Sequence, residues 1–453
     1  MKRRSFLASS LALPFVANAF GTEAMSISKS LPPTSLPLAS KLPSAAQLSE
    51  ADEAFLRDIQ LRCYQYFLDG ANPKTGLVAD RGTTTGSSFS SYASSAACGF
   101  GLAAHCVAAD AGWTSRGEAA DRVRAMLGSL VDLAEHENGF VYHFIDTATG
   151  KRALGSEVSS IDTALMMTGA VNAAVTFSDD PRIVELSEEL YRRVDWRWML
   201  GENLLMHMGW KPESGMIAHQ WDSYSELIIL VLMAIGAPMS PIPPVAWETW
   251  RREPVLEFDG EGFLSYPPLF VHQYPMTFFD FRSYNSSKDR NFFKNAVHAH
   301  KAHIAFLSEL GKRNPDRFGH YGADLWGLTS SDSVDGYRDW GGPYEVGRYE
   351  PDRGIDGTVV PSAAAGGLAI LPNEALHTLR YQKEHFGEQI YGIYGFANAH
   401  NPSTGWVSRD VIGIDTGISL LMAENLRTGS VWNTFMQHPS SIRALKLTGF
   451  ATG

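Results

Sequence analysis

Cysteine is scarce in this sequence: Cys63, Cys98 and Cys106 are the only three in 453 residues. A small, odd set excludes a disulfide-scaffolded domain. Cys98 and Cys106 fall eight residues apart in one helical pattern, about 12 Å at ~1.5 Å per residue. A disulfide needs Cα atoms within about 7 Å, so these two should not pair. Positive charge is also short. Thirty-eight Lys and Arg face 49 Asp and Glu, for a net charge of -11, which argues against nucleic acid and anionic membrane surfaces as partners. Past the N-terminus no apolar run continues long enough without polar breaks to span a bilayer. Several catalytic signatures are missing as well: His-Glu-x-x-His, a phosphate-cradling Gly-Lys-Ser/Thr loop, Gly-x-Gly-x-x-Gly and Gly-x-Ser-x-Gly. Zinc-protease, P-loop, dinucleotide and nucleophile-elbow chemistry therefore lack support, and no metal or organic cofactor is expected. His298-Ala-His300-Lys-Ala-His303 has metal-like residues, but its helical pattern is charged and outward-facing, so a solvated face is expected there.

What is present begins with a leader. Lys2, Arg3 and Arg4 precede Phe6-Leu7, an apolar run and Ala17-Asn-Ala19. A positive start, a short apolar stretch and a small-x-small site describe an export signal over residues 1–19. The Arg3-Arg4 pair gives it a twin-arginine character, with an ordinary secretion signal as the alternative; a periplasmic location is expected. Residues 20–47, rich in Ser, Pro, Leu and Ala, read as a linker or extended arm. Residues 48–453 are long enough for one large domain or two ordinary ones, and are expected to form one.

In that domain two kinds of helical pattern alternate. Glu50–Leu68, Ser115–Glu137, Pro181–Leu200, Asn291–Leu310 and Asn373–Phe386 are amphipathic and charged. Between them Tyr92–Ala109, Ser159–Val175, Tyr224–Gly236, Val359–Leu371 and Ile412–Leu426 are small or apolar all round, with a less regular sixth segment at His272–Asp280. A helix apolar on every side must be enclosed, and a one-sided helix faces water outside it. Six enclosed helices alternating with outer ones predict an all-α fold, an (α/α)6 barrel. Gly99, Gly101, Gly169, Gly366 and Gly367 lie in enclosed segments, where each glycine costs ~1 kcal/mol against alanine; close helix packing would offset that. Short extended pieces (Gly139–Phe144, Gly215–Gln220, Tyr394–Asn398) and the turn Asn401–Gly405 precede enclosed segments. If the inner helices run parallel, these hairpins gather at one mouth.

Carboxylates stand at the same entrances. In Trp221-Asp-Ser-Tyr-Ser-Glu226, Asp222 reads as a helix N-cap, which puts Glu226 in the first turn of an enclosed helix. Glu157 and Asp162 stand at the entrance of a second enclosed segment, and Asp415 opens a third, where capping or pairing with Arg409 is the alternative. Glycoside hydrolysis needs one carboxyl held protonated and one held ionised. A helix N-terminus favours the ionised form by ~0.3–1 kcal/mol, whereas burial or a like charge raises a carboxyl by several units. Glu226 can therefore serve as an acid if its surroundings are dry or acidic. Trp221, Trp326, Tyr337, Trp340 and Trp406 lie in Gly- and Asp-rich loops, where rings either stack on sugar faces or pack against the loop.

In these motifs the chain resembles glycoamylase-like domains, most closely the β-1,2-glucanases of glycoside hydrolase family 144 and their relatives. The resemblance rests on Asn138–Asp146, Ser156–Thr163, Trp221–Glu226, His272-Gln-Tyr, Asp280-Phe-Arg282, Trp326–Asp332, Asp356-Gly-Thr and Gly413–Asn425, in order from about Leu48 onward. It implies an (α/α)6 barrel that inverts the anomeric carbon of a β-1,2-linked glucan, its expected partner. It implies Glu226 as acid, Asp415 as base candidate and Glu157 as a further functional carboxylate. Asp162, Trp221, Tyr224, His272, Gln273, Arg282, Trp326, Asp335, Tyr337 and Trp406 are the substrate-binding candidates. Ser225 and Thr416 stand where the family pattern has Asn and Gln, which leaves open an exo-acting, sophorose-releasing enzyme or a β-1,2-transglycosylase. A non-catalytic carbohydrate-binding protein is the alternative of another class, and an α-glucan hydrolase a third. A monomer is expected.

Overall fold

The computed structural model describes residues 48–286, 289–344 and 354–452. The leader, the arm and their boundaries lie outside the described residues. The chain is helix-rich. In order the helices are α1 (Glu50–Asp69), α2 (Ser95–Asp110), α3 (Arg116–Asp132), α4 (Ser160–Thr176), α5 (Pro181–Arg192), α6 (Leu227–Gly236), α7 (Tyr274–Phe278) and α8 (Phe292–Arg313). The short α9 (Pro315–Phe318), α10 (Pro361–Ala365), α11 (Pro372–Phe386), α12 (Gly413–Arg427), α13 (Ser430–Phe435) and α14 (Pro439–Leu447) follow.

The two helix types separate by burial. Every residue of α6 is buried, as are nearly all of α2, α4 and α12, while α1, α3, α5 and α11 bury one face. The enclosed helices touch one another in sequence around the core: α2 with α4, α4 with α6, α6 with α7, α7 with α12, and α12 with both α2 and α10. Outside them α1 packs on α12 and α2, α3 on α2, α5 on α4, α11 on α10, and α14 on α6. The C-terminal helix α14 thus covers the outside of α6.

Glycine explains how closely α2 and α4 approach. A Cβ on Gly169 would stand 2.0 Å from the Gly99 carbonyl oxygen, and one on Gly99 would stand 2.5 Å from that of Leu165. A Cβ on Gly417 of α12 would stand 2.5 Å from Phe100 Cβ, against that side chain.

Short strands set the inner-helix entrances. Tyr92–Ser94 pairs with Phe144–Asp146 and runs into α2; Val158–Ser159 pairs with Gly209–Lys211 and runs into α4; Asp410–Ile412 pairs with Arg81–Thr83 and runs into α12. His400–Asn401 and Trp406–Val407 form a hairpin around the expected turn. Among the described residues no sheet exceeds three strands and none closes. The ladders satisfy backbone groups that irregular entrances would leave bare. Ser94 and Ser159 then accept hydrogen bonds from backbone N–H groups of α2 and α4, as N-caps do.

The opposite end is plugged. Helix α13 touches α2, α4, α7 and α12 there. Its Trp432 indole N–H donates to the Met276 carbonyl at 2.6 Å. Three buried free cysteines agree with the unpaired expectation. Among the described residues no helix is long and apolar enough to cross a membrane.

The helix limits differ from expectation in instructive places. Pro181 to Leu200 and Ser115 to Glu137 stop early, at Arg192 and Asp132. Helix α6 starts at Leu227, and Asp222 is no cap: it is exposed and pairs with Arg251 at 2.7 Å. The enclosed segments at 272–280 and 359–371 hold only the five-residue helices α7 and α10. His300 and His303 are fully buried, not on a solvated face. Helix α8 carries the loop 262–272 and Gly342 against that side. His300 Nδ1–H donates to the Ala296 carbonyl and His303 Nδ1–H to that of Gly342, at 2.7 and 2.6 Å. Each Nε2 accepts a hydrogen bond, from Gln273 and from the Leu328 amide, at 3.0 Å in both cases. Both rings are therefore neutral and structural, and among the described residues no cluster could hold a metal ion.

Candidate active site

Glu226 occupies the N-cap position of α6 without capping it. Its carboxyl is walled in by protein, although the residue keeps some surface open to the mouth. Burial raises its pKa to about 8, and the nearby charges of Asp339 and Asp162 add to the rise. The N-terminal end of α6 therefore holds a protonated carboxyl at neutral pH, the dry and acidic surroundings that an acid role requires.

Asp415 lies in the first turn of α12 and is buried. It is neither a cap nor a partner of Arg409: its Oδ2 accepts the Asn398 amide at 2.6 Å. Burial raises this carboxyl to about 7, despite the lowering effect of Asn398 and Ser362. Asn398 does a second job, its Oδ1 accepting the Asp332 backbone N–H at 2.8 Å. Asp332 in turn meets Arg81 at 3.3 Å and accepts the Ser408 hydroxyl at 3.1 Å. Arg81 also pairs with Asp80 and Asp410, at 3.3 and 3.1 Å, so one guanidinium ties three acidic side chains around the α12 entrance.

Glu157 and Asp162 form a separate group. Glu157 Oε1 is 3.3 Å from His143 Nδ1 and its Oε2 is 3.9 Å from Lys211. Although burial opposes it, the His143 contact pulls the Glu157 carboxyl down to about 2. Asp162 accepts the Ser159 hydroxyl at 2.5 Å.

Tyr274, the first residue of α7, is nearly buried. Its ring stacks on Phe270 with centroids 4.9 Å apart and meets Phe100 edge-on at 5.7 Å. Burial holds its phenol far above the ordinary range, and Asp415, Tyr337, Glu226 and Asp162 all push the same way. Helix α7 touches both α6 and α12, so this ring stands between the ends that carry Glu226 and Asp415.

The other candidates divide. Trp221 is half-buried, with its indole N–H donating to Ser160 Oγ at 3.0 Å. Trp406 is also half-buried, and Tyr337 is 54% exposed although its phenol feels Asp415, Asp339 and Asp80. Asp335 is exposed at the tip of the Tyr337 hairpin and pairs with Arg338 at 3.1 Å. Four candidates do not reach the mouth as free groups. Trp326, like Trp340, is fully buried in the core. Gln273 is buried, with its amide donating to the Ala363 carbonyl at 2.7 Å and to His300. Arg282 follows α7 at the plugged end, bound to Asp280 at 2.8 Å and over the Trp432 ring at 3.6 Å; a five-residue α7 carries the chain past the core before Arg282 is reached. Tyr224 is fully buried beneath Glu226.

Tyr224 nevertheless fixes His272. The Asn295 amide oxygen accepts the Leu264 N–H, so its Nδ2 donates to the Tyr224 hydroxyl at 3.3 Å. That hydroxyl therefore donates to His272 Nδ1 at 2.8 Å, leaving Nε2 as the protonated nitrogen. Burial keeps the ring neutral, with His300 and His303 adding to the effect.

Asp80, Arg81, His143, Tyr274, Asp332, Asp339 and Asn398 were not among the sequence candidates. His143 and Asp332 lie inside the quoted motifs, and Tyr274 follows His272-Gln273 directly. Arg81 reaches Asp332 and Asp410 across 251 and 329 residues of sequence, and Asn398 reaches Asp332 across 66, separations that no local pattern reports.

A family model described as "Putative glucoamylase" matches residues 218–439, the stretch that contains both Glu226 and Asp415. An exo β-1,2-glucooligosaccharide sophorohydrolase (non-reducing end) from Parabacteroides distasonis is 26% identical across 87% of this chain. The chain spans 58% of the length of that curated relative. A solved structure from Bacteroides uniformis, described in the same words as the family model, matches 90% of this chain and 98% of its own at 26% identity and a TM-score of 0.80. The endo-β-1,2-glucanase from Chitinophaga pinensis shares the fold, with a TM-score of 0.77 over 89% of this chain and 99% of its own, at 23% identity.

Proposed function

We propose that the chain is a glycoamylase-like inverting glycoside hydrolase of β-1,2-glucan, built as an (α/α)6 barrel. The observation that carries the reading is the pair of raised carboxyls at the ends of α6 and α12. Between about pH 7 and 8, Glu226 keeps its proton and Asp415 has released its own. Glu226 protonates the leaving glycosidic oxygen. Asp415, directly or through a hydroxyl or a second water, removes the proton from the water that attacks the anomeric carbon from the opposite face. The C–O bond breaks as the new one forms, so a β-linkage yields an α-anomer. Tyr337, Trp221 and Trp406 supply ring faces for sugars. His272 offers a neutral N–H donor.

The substrate class follows the named relatives, which act on β-1,2-linked glucose by exo and by endo cleavage. Endo cleavage with release of sophoro-oligosaccharides is the first reading. Release of sophorose from the non-reducing end is the second, favoured by the curated relative. The leader supports export to the periplasm, and we infer a monomer there.

The test is incubation of the mature protein with linear β-1,2-glucan, soluble starch and β-1,3-glucan, with products followed by chromatography. Hydrolysis of the β-1,2-glucan alone supports the reading, and a ladder of products against sophorose alone separates endo from exo cleavage. Cleavage of starch instead, or binding of β-1,2-glucan with no product, overturns it.

A further inference from the structure

We propose that His143 is a positioning residue that clamps Glu157 and Asp162 into one cradle, which binds substrate hydroxyls and takes no part in the acid–base chemistry. This rests on the hydrolase reading and deepens it, because it removes one of the three mouth carboxyls from the acid–base chemistry.

His143 sits in the tight turn between Phe140–Val141 and Phe144–Asp146. Its backbone N–H donates to the Glu157 carbonyl at 2.8 Å, and its ring lies flat on Phe144 with centroids 4.0 Å apart and planes 16° from parallel. The ring therefore has little freedom. Its Nδ1 faces Glu157 Oε1 at 3.3 Å and its Nε2 faces Asp162 Oδ1 at 3.8 Å. A neutral imidazole carries a proton on only one nitrogen, so neither tautomer serves both carboxylates, whereas the imidazolium serves both.

The surrounding charge favours that cation. Asp162 acts on it from α4, Glu157 from just before the Val158–Ser159 strand, and Asp80 from the neighbouring loop; Arg81 on Asp80 and Lys211 on Glu157 oppose them. Against the cost of burial, the carboxylates raise His143 to about 9. Glu157 is correspondingly ionised throughout the neutral range and has no proton to give. Two fixed carboxylates with lone pairs to spare are acceptors for sugar hydroxyls, and Asp162 lies close enough to Glu226 to help keep it protonated.

The experiment is nitrogen NMR of the histidine-labelled protein through pH 5.5–10.5, with His143 assigned by His143→Gln, together with kinetics of Glu157→Gln and His143→Gln on β-1,2-gluco-oligosaccharides. The proposal expects a His143 titration near pH 9 that falls by a unit or more in Glu157→Gln. It expects both variants to raise KM about ten-fold, with kcat within about three-fold of the parent. A His143 that titrates at or below the ordinary histidine value overturns the clamp. A Glu157→Gln variant that loses kcat a hundred-fold at unchanged KM overturns the binding role. Should His143→Gln fail to fold, Glu157→Gln carries both readouts. A protein that shows the titration yet turns over no β-1,2-glucan refutes the hydrolase reading while leaving the clamp standing.

Discussion

At the scale of single residues, the two raised carboxyls set the pH behaviour. The acid must be protonated and the base ionised, so kcat/KM should rise as pH climbs through about 7 and fall as it passes about 8. A pH–rate profile on β-1,2-glucan checks this, and a single broad plateau from pH 4 to 7 would contradict it. Glu226→Gln should lower kcat at least about 1,000-fold, a loss in line with removing a positioned acid, and should be rescued in part by a nitrophenyl leaving group that needs no proton. The same substitution should stabilise the fold. Folded Glu226 holds its proton up to about pH 8, while the unfolded chain releases it near 4.5, so the parent loses stability as pH rises between those values and regains none above them. Glutamine has no such loss, and urea unfolding at pH 8.5 should show a gain of roughly 1–4 kcal/mol. Tyr274→Phe removes a phenol set between the two ends while keeping the ring; kcat should fall ten- to a hundred-fold with Tm nearly unchanged. An unaltered kcat would make Tyr274 a packing residue.

At the scale of elements, the contact of α2 with α4 is the tightest joint. Gly169→Ala puts a methyl 2.0 Å from the Gly99 carbonyl, an overlap that only separation of the helices relieves. A cost of at least about 3 kcal/mol is expected, read as a lowered Tm, and Gly128→Ala, in open space on α3, is the control that should stabilise slightly. The enclosed helices α2, α4, α6 and α12 were legible in the sequence because burial on every side leaves no polar face to confuse the pattern. Helices α7 and α10 were not: their segments are equally buried, and periodicity alone cannot tell a five-residue helix flanked by turns from a longer one. The Asp222 cap failed because Arg251, 29 residues away, holds that carboxylate. Arg282 was misplaced by the same short α7.

At the scale of the whole molecule, the alternation of one-sided and enclosed patterns foretold the outer helices α1, α3, α5 and α11 and the enclosed helices α2, α4, α6 and α12, but not α8, expected to face outward and buried along most of its length. It did not foretell that α14, at the C-terminus, covers α6. Candidate residues at inner-helix starts were legible because a helix entrance is a local feature; the groups that tune them were not, because Arg81 reaches Asp332 and Asp410 only after the chain has nearly closed on itself. A mouth holding Asp80, Glu157, Asp162, Glu226, Asp332, Asp339 and Asp415 suits a neutral, hydroxyl-rich ligand and repels anionic ones.

The most direct test of the central claim is proton NMR of linear β-1,2-glucan during its first minutes with the mature protein at pH 7.5, beside Glu226→Gln and Asp415→Asn. The acid–base pair predicts new reducing ends that appear as the α-anomer and then mutarotate, with both variants silent yet still binding the glucan. Reducing ends born as the β-anomer, or variants as active as the parent, would contradict it.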